Sequence, residues 1–123
     1  MKTLKFRCWD IFTKKMYNWD TMNAFDTAPG SIKRYFTDSD CRFMQYTGVN
    51  DKHGKEIYEG DIVEYYDSMR MYLMAEVKWL DGQYVIQHDG MDSDYIELQD
   101  FMLPGGSIEV KGNIYETPNL LNK

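Results

Sequence analysis

Cysteine, proline and long hydrophobic runs are all scarce in this chain. Its 123 residues include three prolines and two cysteines, Cys8 and Cys41. Two cysteines cannot build the disulfide framework of a small secreted domain, so we expect both to be buried thiols in a reducing compartment. No apolar run of about 18 residues is present, and the first residues lack the apolar stretch of a secretory signal. These absences predict a cytoplasmic protein without membrane contact.

Residues that carry common enzyme chemistry are also scarce. The two histidines, His53 and His88, form no close pair with a cysteine of the kind that holds zinc. The acidic run 89–97 lacks the sixth-position glycine and the ligand spacing of a calcium-binding EF-hand loop. No serine lies in a nucleophile-elbow pattern, and no phosphate-binding glycine loop is present. The sequence therefore predicts no metal, no cofactor and no catalytic residue.

Apolar and aromatic side chains, by contrast, are plentiful. Hydrophobic residues make up 43% of the chain and aromatic residues 15%, which is enough to bury a core without disulfides. We expect a single domain over residues 1–123, with an alternative division into two lobes. The first lobe, 1–43, would be a β lobe with a variable loop, and the second, 44–123, a β body.

Charge is unevenly distributed along the chain. Residues 1–43 hold eight Lys and Arg against five Asp and Glu, a net charge of +3, whereas 44–123 hold six against fifteen, a net charge of −9. Solvation of outer faces explains such an imbalance without any function. Head-to-tail association or contact with a charged partner is the alternative.

Period-two alternation predicts a mainly β fold. Leu4, Phe6 and Cys8 alternate with outward-facing Lys5, Arg7 and Trp9, and a polar turn over 10–15 leads to a second strand at 15–19. Signals weaken from 21 to 40, where we expect a variable loop. The further predicted strands and turns are a strand at 41–46 ending at Thr47-Gly48, a turn at 50–55, short strands at 56–59 and 62–66 around a Gly60-Asp61 corner, and a hairpin of 72–79 with 84–87 through Asp81-Gly82.

The C-terminal third is less uniform. Residues 95–103 fit neither the helical nor the strand period. Residues 108–114 alternate as a closing strand in which Gly112 marks a bulge or a close backbone approach. Thr117 is placed to cap a short helical turn that begins at Pro118. The pattern favours an SH3-like barrel or twisted antiparallel sheets with hairpins.

Three blocks of sequence resemble the YopX-like family of phage and prophage proteins. The long block runs from Phe43 to Val63 and includes Tyr-Thr-Gly and Tyr-Glu-Gly-Asp-Ile-Val. The shorter blocks are 5–10 with Lys15-Met16, and 110–116 with Pro118. The resemblance implies a mostly β fold and a phage or prophage origin, and therefore the cytoplasm of a bacterial host. It implies no catalytic residues.

The function most consistent with these features is that of a non-enzymatic interaction module. A protein partner is favoured, nucleic acid is an alternative through the basic N-terminal third, and a homo-oligomer is a further hypothesis. The sequence is also compatible with an acidic mimic of nucleic acid that acts on a host protein, or with a small-molecule enzyme using Glu56, Glu59 and Asp61. The predicted binding residues are Arg7, Trp9, Tyr46, Tyr58, Asp61, Asn113 and Tyr115.

Overall fold

The fold was determined from a computed structural model. It describes residues 4–24, 40–66, 72–80, 82–87, 96–98 and 108–121. The chain divides into two compact units, Met1–Tyr46 and Thr47–Lys123. The mainly β prediction is confirmed, because the described residues form two antiparallel sheets, one short α-helix and one 3-10 helix.

The first unit is built around a β hairpin. Strand β1 (Phe6–Asp10) pairs with β2 (Lys15–Tyr17) on one side and with β3 (Cys41–Asn50) on the other. Because β1 is central, it contributes buried side chains to both faces of the sheet: Cys8 is fully buried and Trp9 is 9% exposed. The prediction that Trp9 faces outward is therefore wrong; a period-two pattern identifies the opposite faces of a strand but not whether both are covered.

Helix α1 (Trp19–Ala24) falls partly in the segment predicted to be a loop. Asn18 begins it, since its Oδ1 accepts a hydrogen bond from the Thr21 N–H at 2.7 Å. Met22, within the helix, is fully buried. An Asn N-cap followed by an acid in the first turn was the available signal. The rest of the predicted loop, residues 25–39, lies outside the described residues.

Strand β3 is longer than predicted. It runs through Thr47-Gly48 to Asn50, and Gly48 adopts a positive φ of 86°. The Thr47 hydroxyl explains the continuation, because it donates to the Ile57 carbonyl at 2.8 Å and accepts from the Val49 N–H at 3.1 Å. On the side away from β1, strand β3 has β4 (Glu56–Tyr58) as its neighbour in the sheet.

The second unit contains a five-stranded antiparallel sheet in the order β8-β7-β6-β5-β9. Strands β5 (Asp61–Tyr66), β6 (Tyr72–Leu80) and β7 (Gln83–Gln87) form its centre. The predicted hairpin is confirmed: Leu80 pairs with Gln83, and Gly82, just before Gln83, has a φ of 81°. Of the ambiguous 95–103 segment, strand β8 (Ile96–Glu97) and the buried Leu98 that follows it are described.

The closing strand β9 (Glu109–Asn113) carries the predicted bulge. Its register against β5 shifts between Ile62, which pairs with Gly112, and Val63, which pairs with Val110. A Cβ at Gly112 would overlap the Thr117 Oγ1, so the close approach comes from a side chain and not from another backbone. A 3-10 helix (Pro118–Leu120) follows.

Thr117 does not cap this helix with its side chain, contrary to prediction. Its hydroxyl is used elsewhere: it accepts from the Asn113 N–H at 3.0 Å and lies 3.2 Å from the Asn113 carbonyl. The hydroxyl therefore holds the end of β9 and not the start of the helix.

The core of the second unit lies on one face of this sheet. Ala75 and Val77 belong to it, as the alternation of β6 predicted, but Trp79 at the end of the strand is 50% exposed. The other buried members are Val49, Ile57, Val63, Tyr65, Ile86, Leu98 and Ile108. No helix in the described part of the chain is long and apolar enough to cross a membrane.

Candidate functional site

The predicted binding residues divide between the two units. Arg7, Trp9 and Tyr46 belong to the first, and the other four belong to the second. The structure brings together those four: Tyr58 and Asp61 stand at either side of the β4–β5 corner, Asn113 is the cross-strand partner of Asp61, and Tyr115 follows it in the chain.

Asp61 fixes the β4–β5 corner. It is 1% exposed, and its Oδ2 accepts a hydrogen bond from the Tyr58 N–H at 2.8 Å. Gly60 supplies the positive φ of 83° that this turn requires. Its N–H donates to the Val77 carbonyl and its carbonyl accepts from the Ile114 N–H, both at 2.9 Å. The corner is thereby joined to β6 and to the chain after β9.

Asn113 organises the turn after β9 in a similar way. Its Oδ1 accepts from the Tyr115 N–H at 3.0 Å and the Glu116 N–H at 2.8 Å, and its Nδ2 donates to Glu116 Oε1 at 2.7 Å. Asn113 is 6% exposed. A buried amide saturated by neighbouring backbone groups is a turn-forming element.

The carboxylates considered for an enzyme have distinct surroundings. Glu56 Oε1 accepts from the Tyr58 hydroxyl at 3.3 Å, whereas Asp61 binds a backbone N–H. Burial is the main cause that raises the pKa of Tyr84, and the nearby charge of Glu59 adds to it. Among the described residues, no group of three His, Cys, Asp or Glu side chains is arranged to hold a metal ion.

Asp51 is a buried acid whose role the sequence did not reveal. Its Oδ1 accepts from the N–H groups of His53 and Lys55, each at 2.9 Å, and its Oδ2 accepts from the Val110 N–H at 3.0 Å. Burial alone raises the pKa of Asp51, but these three backbone donors, with a smaller electrostatic effect of His53, bring it below the ordinary value. The turn bonds were foreseeable from an Asp at a turn; the long-range bond to Val110 was not.

Glu109 lies among basic side chains next to this turn. Its carboxylate lies 3.2 Å from Lys111 Nζ, 3.4 Å from Lys52 Nζ and 3.7 Å from His53 Nε2. The hydrogen bond from Lys111 is the largest cause that lowers the pKa of Glu109. The cluster links the 51–55 turn to β9.

In the first unit, the predicted residues are partly covered. Arg7 is half-buried opposite Met44, and Tyr46 is half-buried with Lys5 Nζ 5.5 Å from its ring centroid. A contact of this type is a weak cation–π interaction. The binding roles of Arg7, Trp9 and Tyr46 stay a prediction.

The predicted binding residues do not include Phe12, the most exposed large apolar side chain among the described residues. Phe12 is 81% exposed and its neighbour Ile11 is 40% exposed, both in the turn between β1 and β2. The sequence predicted a polar turn here, and the two adjacent apolar residues within it were the signal that could have identified an exposed surface.

This turn has a defined backbone. Asp10 Oδ1 accepts from the N–H groups of Phe12 at 2.9 Å and Thr13 at 3.1 Å, and the Asp10 carbonyl accepts from the Lys14 N–H at 2.8 Å. The bond from Thr13 is the largest cause that lowers the pKa of Asp10. Lys14 completes the turn with a positive φ of 59°.

Comparisons with known proteins bear on this architecture. The crystal structure of protein EF1440 from Enterococcus faecalis is similar with a TM-score of 0.66 and 24% identity, over 99% of this chain and 100% of that one. The crystal structure of protein yopX from Bacillus subtilis is similar with a TM-score of 0.65 and 22% identity, again over 99% and 100%. These likenesses show a shared fold. No curated protein matches the chain. The family model described as YopX protein matches residues 5–122, and the chain therefore belongs to the YopX family.

Proposed function

We propose that this protein is a non-enzymatic protein-interaction module whose contact surface is the tip of the β1–β2 hairpin, residues 11–15. The proposal includes a phage or prophage origin and action in the cytoplasm of a bacterial host. The observation that carries it is the 81% exposure of Phe12 on a hydrogen-bonded turn.

Burying Phe12 against a partner would contribute to binding. Complete burial of such a side chain is worth about 1.5–3 kcal/mol in transfer free energy. The turn is already held by Asp10, so its ordering on binding costs less than that of a flexible loop. An apolar anchor on a pre-organised element is typical of an interaction hot spot.

The charge around Phe12 indicates the chemistry of the partner. Lys14 and Lys15 are both exposed next to it. A protein surface with an apolar pocket and an acidic rim would complement this tip. A second copy of the chain is one such partner, because residues 47–123 have six Lys and Arg against fifteen Asp and Glu.

Nucleic acid is the second candidate, favoured by one observation. Exposed Lys14, Lys15 and Arg42 accompany an exposed aromatic ring in the same unit. Basic groups with an aromatic ring are the footprint of single-strand binding. Ile11, which cannot stack on a base, and the overall charge of −6 favour a protein partner.

Site-specific photocrosslinking tests the proposal. The full chain with a photoreactive phenylalanine analogue at position 12 is expressed in a bacterial host and irradiated. The matched control carries the analogue at Asp20, which is also exposed in the first unit. We expect a discrete, nuclease-resistant protein adduct from position 12 and none from position 20. Nuclease-sensitive adducts would favour the second candidate, and no adduct from position 12 would contradict both.

Light scattering separates a second copy from a foreign partner. If the hairpin tip binds the acidic unit of another copy, the average mass should fall as ionic strength rises, because charge attraction is screened. Phe12→Ser should lower the mass in the same way. A monomer at every salt concentration would exclude a second copy as the partner.

A further inference from the structure

We propose that Trp79, Tyr84 and Glu59 form a second binding site, one that receives a Lys or Arg side chain from a basic protein segment. The site lies entirely within the second unit and does not depend on the hairpin tip. It extends the proposed function from one contact surface to two with opposite preferences for charge.

The aromatic pair is fixed in place by the β6–β7 hairpin. Trp79 and Tyr84 are directly paired across the two strands, with ring centroids 4.6 Å apart and an interplanar angle of 69°. Tyr84 packs against the core cluster of the unit. An edge-to-face contact with an anchored ring restricts the orientation of Trp79.

Trp79 nevertheless presents half of its surface to solvent. It lies on the same side of β6 as Val77, which is 1% exposed, but it is 50% exposed itself. The strand continues for one more residue before the turn, so Trp79 stands at the margin of the core. A large aromatic ring that is held but not covered is available to a ligand.

Negative charge lies near the other ring of the pair, that of Tyr84. Glu59 acts electrostatically on Tyr84, and the adjacent Gly60 N–H bonds the Val77 carbonyl at 2.9 Å, two residues before Trp79. The cation next to Trp79 in the chain, Lys78, points to the other side of the strand and donates to Gln87 Oε1 at 3.1 Å. Lys78 therefore does not cover the ring.

A Trp–Tyr ring pair whose tyrosine has a carboxylate nearby is suited to a cationic side chain. A cation over a tryptophan ring contributes about 0.5–2 kcal/mol, depending on desolvation. The net charge of −9 over residues 47–123 attracts basic segments over a longer range and repels phosphate backbones. The occupant indicated by the charge is a basic protein segment and not nucleic acid.

Titration of the full chain by NMR tests this site. The probe is a peptide of alternating Arg and Gly, and the signal is the indole N–H resonance of Trp79, assigned with Trp79→Phe. We expect a saturable shift of this resonance, larger than those of Trp9 and Trp19. A peptide with Glu in place of Arg, and a single-stranded oligonucleotide, should produce no such shift.

Variants give the quantitative test. Trp79→Leu should lower the affinity for the Arg peptide about five- to tenfold, the effect expected for loss of a cation–π contact. Glu59→Gln should weaken binding more than Glu64→Gln, which removes the same charge from the opposite side of the sheet. Urea unfolding confirms that each variant is folded, and Trp79→Met replaces Trp79→Leu if the latter does not fold. Unchanged affinity in the folded Trp79 variant, or a shift with the oligonucleotide instead of the peptide, would overturn the proposal.

Discussion

The Asp51 carboxylate accepts a hydrogen bond from the Val110 backbone N–H at 3.0 Å, across 59 residues of sequence. The same side chain closes its own turn through His53 and Lys55. One buried carboxylate thus joins the 51–55 turn to strand β9, and the neighbouring Lys52 N–H adds a bond to the Ile108 carbonyl at 3.1 Å.

Replacement of this carboxylate should therefore destabilise the fold. In Asp51→Asn, one oxygen is replaced by an NH2 group that faces backbone donors, and at least one N–H loses its acceptor. We expect a loss of about 2–4 kcal/mol in the free energy of unfolding. Urea unfolding measures it, with the exposed Asp20→Asn as the control, expected within about 0.5 kcal/mol of the parent. Equal midpoints for Asp51→Asn and the parent would show that the bond to Val110 is dispensable.

The same carboxylate predicts an acid-sensitive stability. The pKa of Asp51 is lower in the folded state than in the unfolded chain, so its contribution is complete above the unfolded value of about 4 and is lost as pH falls further. The difference in unfolding free energy between the parent and Asp51→Asn should accordingly shrink between pH 5 and pH 2. Unfolding curves at several pH values test this, and a difference that grows on acidification would contradict it.

The contribution of Glu76 to stability has the opposite dependence on pH. It is partly buried on β6, where burial raises its pKa and the charge of Lys78 only partly offsets the effect. A raised folded-state pKa means that ionised Glu76 costs stability as pH rises through that value. Glu76→Gln should therefore stabilise the protein at pH 7 by roughly 0.5 kcal/mol, the scale for partly exposed charges. The gain should disappear at about pH 3, where both side chains are neutral; a gain of equal size at both pH values would contradict this account.

Gly112 and Thr117 form a packing pair that a double-mutant cycle can measure. Gly112→Ala places a methyl group where the Thr117 hydroxyl and the Leu120 side chain lie, and we expect a cost of about 1–3 kcal/mol. Thr117→Ala alone loses the bond to the Asn113 N–H, at a cost of about 1 kcal/mol. The double variant should be more stable than the sum of the two costs implies, because the overlap is relieved. Additive costs would mean that the two residues do not compete for this space.

Local features of this fold were predictable from the sequence, whereas long-range ones were not. The β6–β7 hairpin followed from alternation and an Asp-Gly turn, and the bulge in β9 from Gly112. The burial of Trp9 depends on what covers the second face of its strand, and the role of Asp51 depends on a backbone group 59 residues away. Neither leaves a periodic signal in the chain.

The candidate site was likewise only partly predictable from the sequence. Four of the predicted binding residues lie close together in the structure: Tyr58, Asp61, Asn113 and Tyr115. Two of them, Asp61 and Asn113, are nevertheless buried and accept hydrogen bonds from backbone N–H groups. Phe12 was concealed because a turn is expected to be polar. Exposure depends on tertiary packing, so it could be recognised only in the folded chain.

The central claim is that the motif residues build the fold while the hairpin tip makes the contact. Quantitative capture from a bacterial lysate, comparing the parent chain with Phe12→Ser at equal amounts of folded protein, tests it most directly. Phe12 is 81% exposed, so this variant should unfold at the same urea concentration as the parent. We expect the parent to retain a nuclease-resistant protein and Phe12→Ser to retain at least tenfold less of it, the effect of losing an anchor worth about 1.4 kcal/mol or more. Equal retention by the two chains would contradict it.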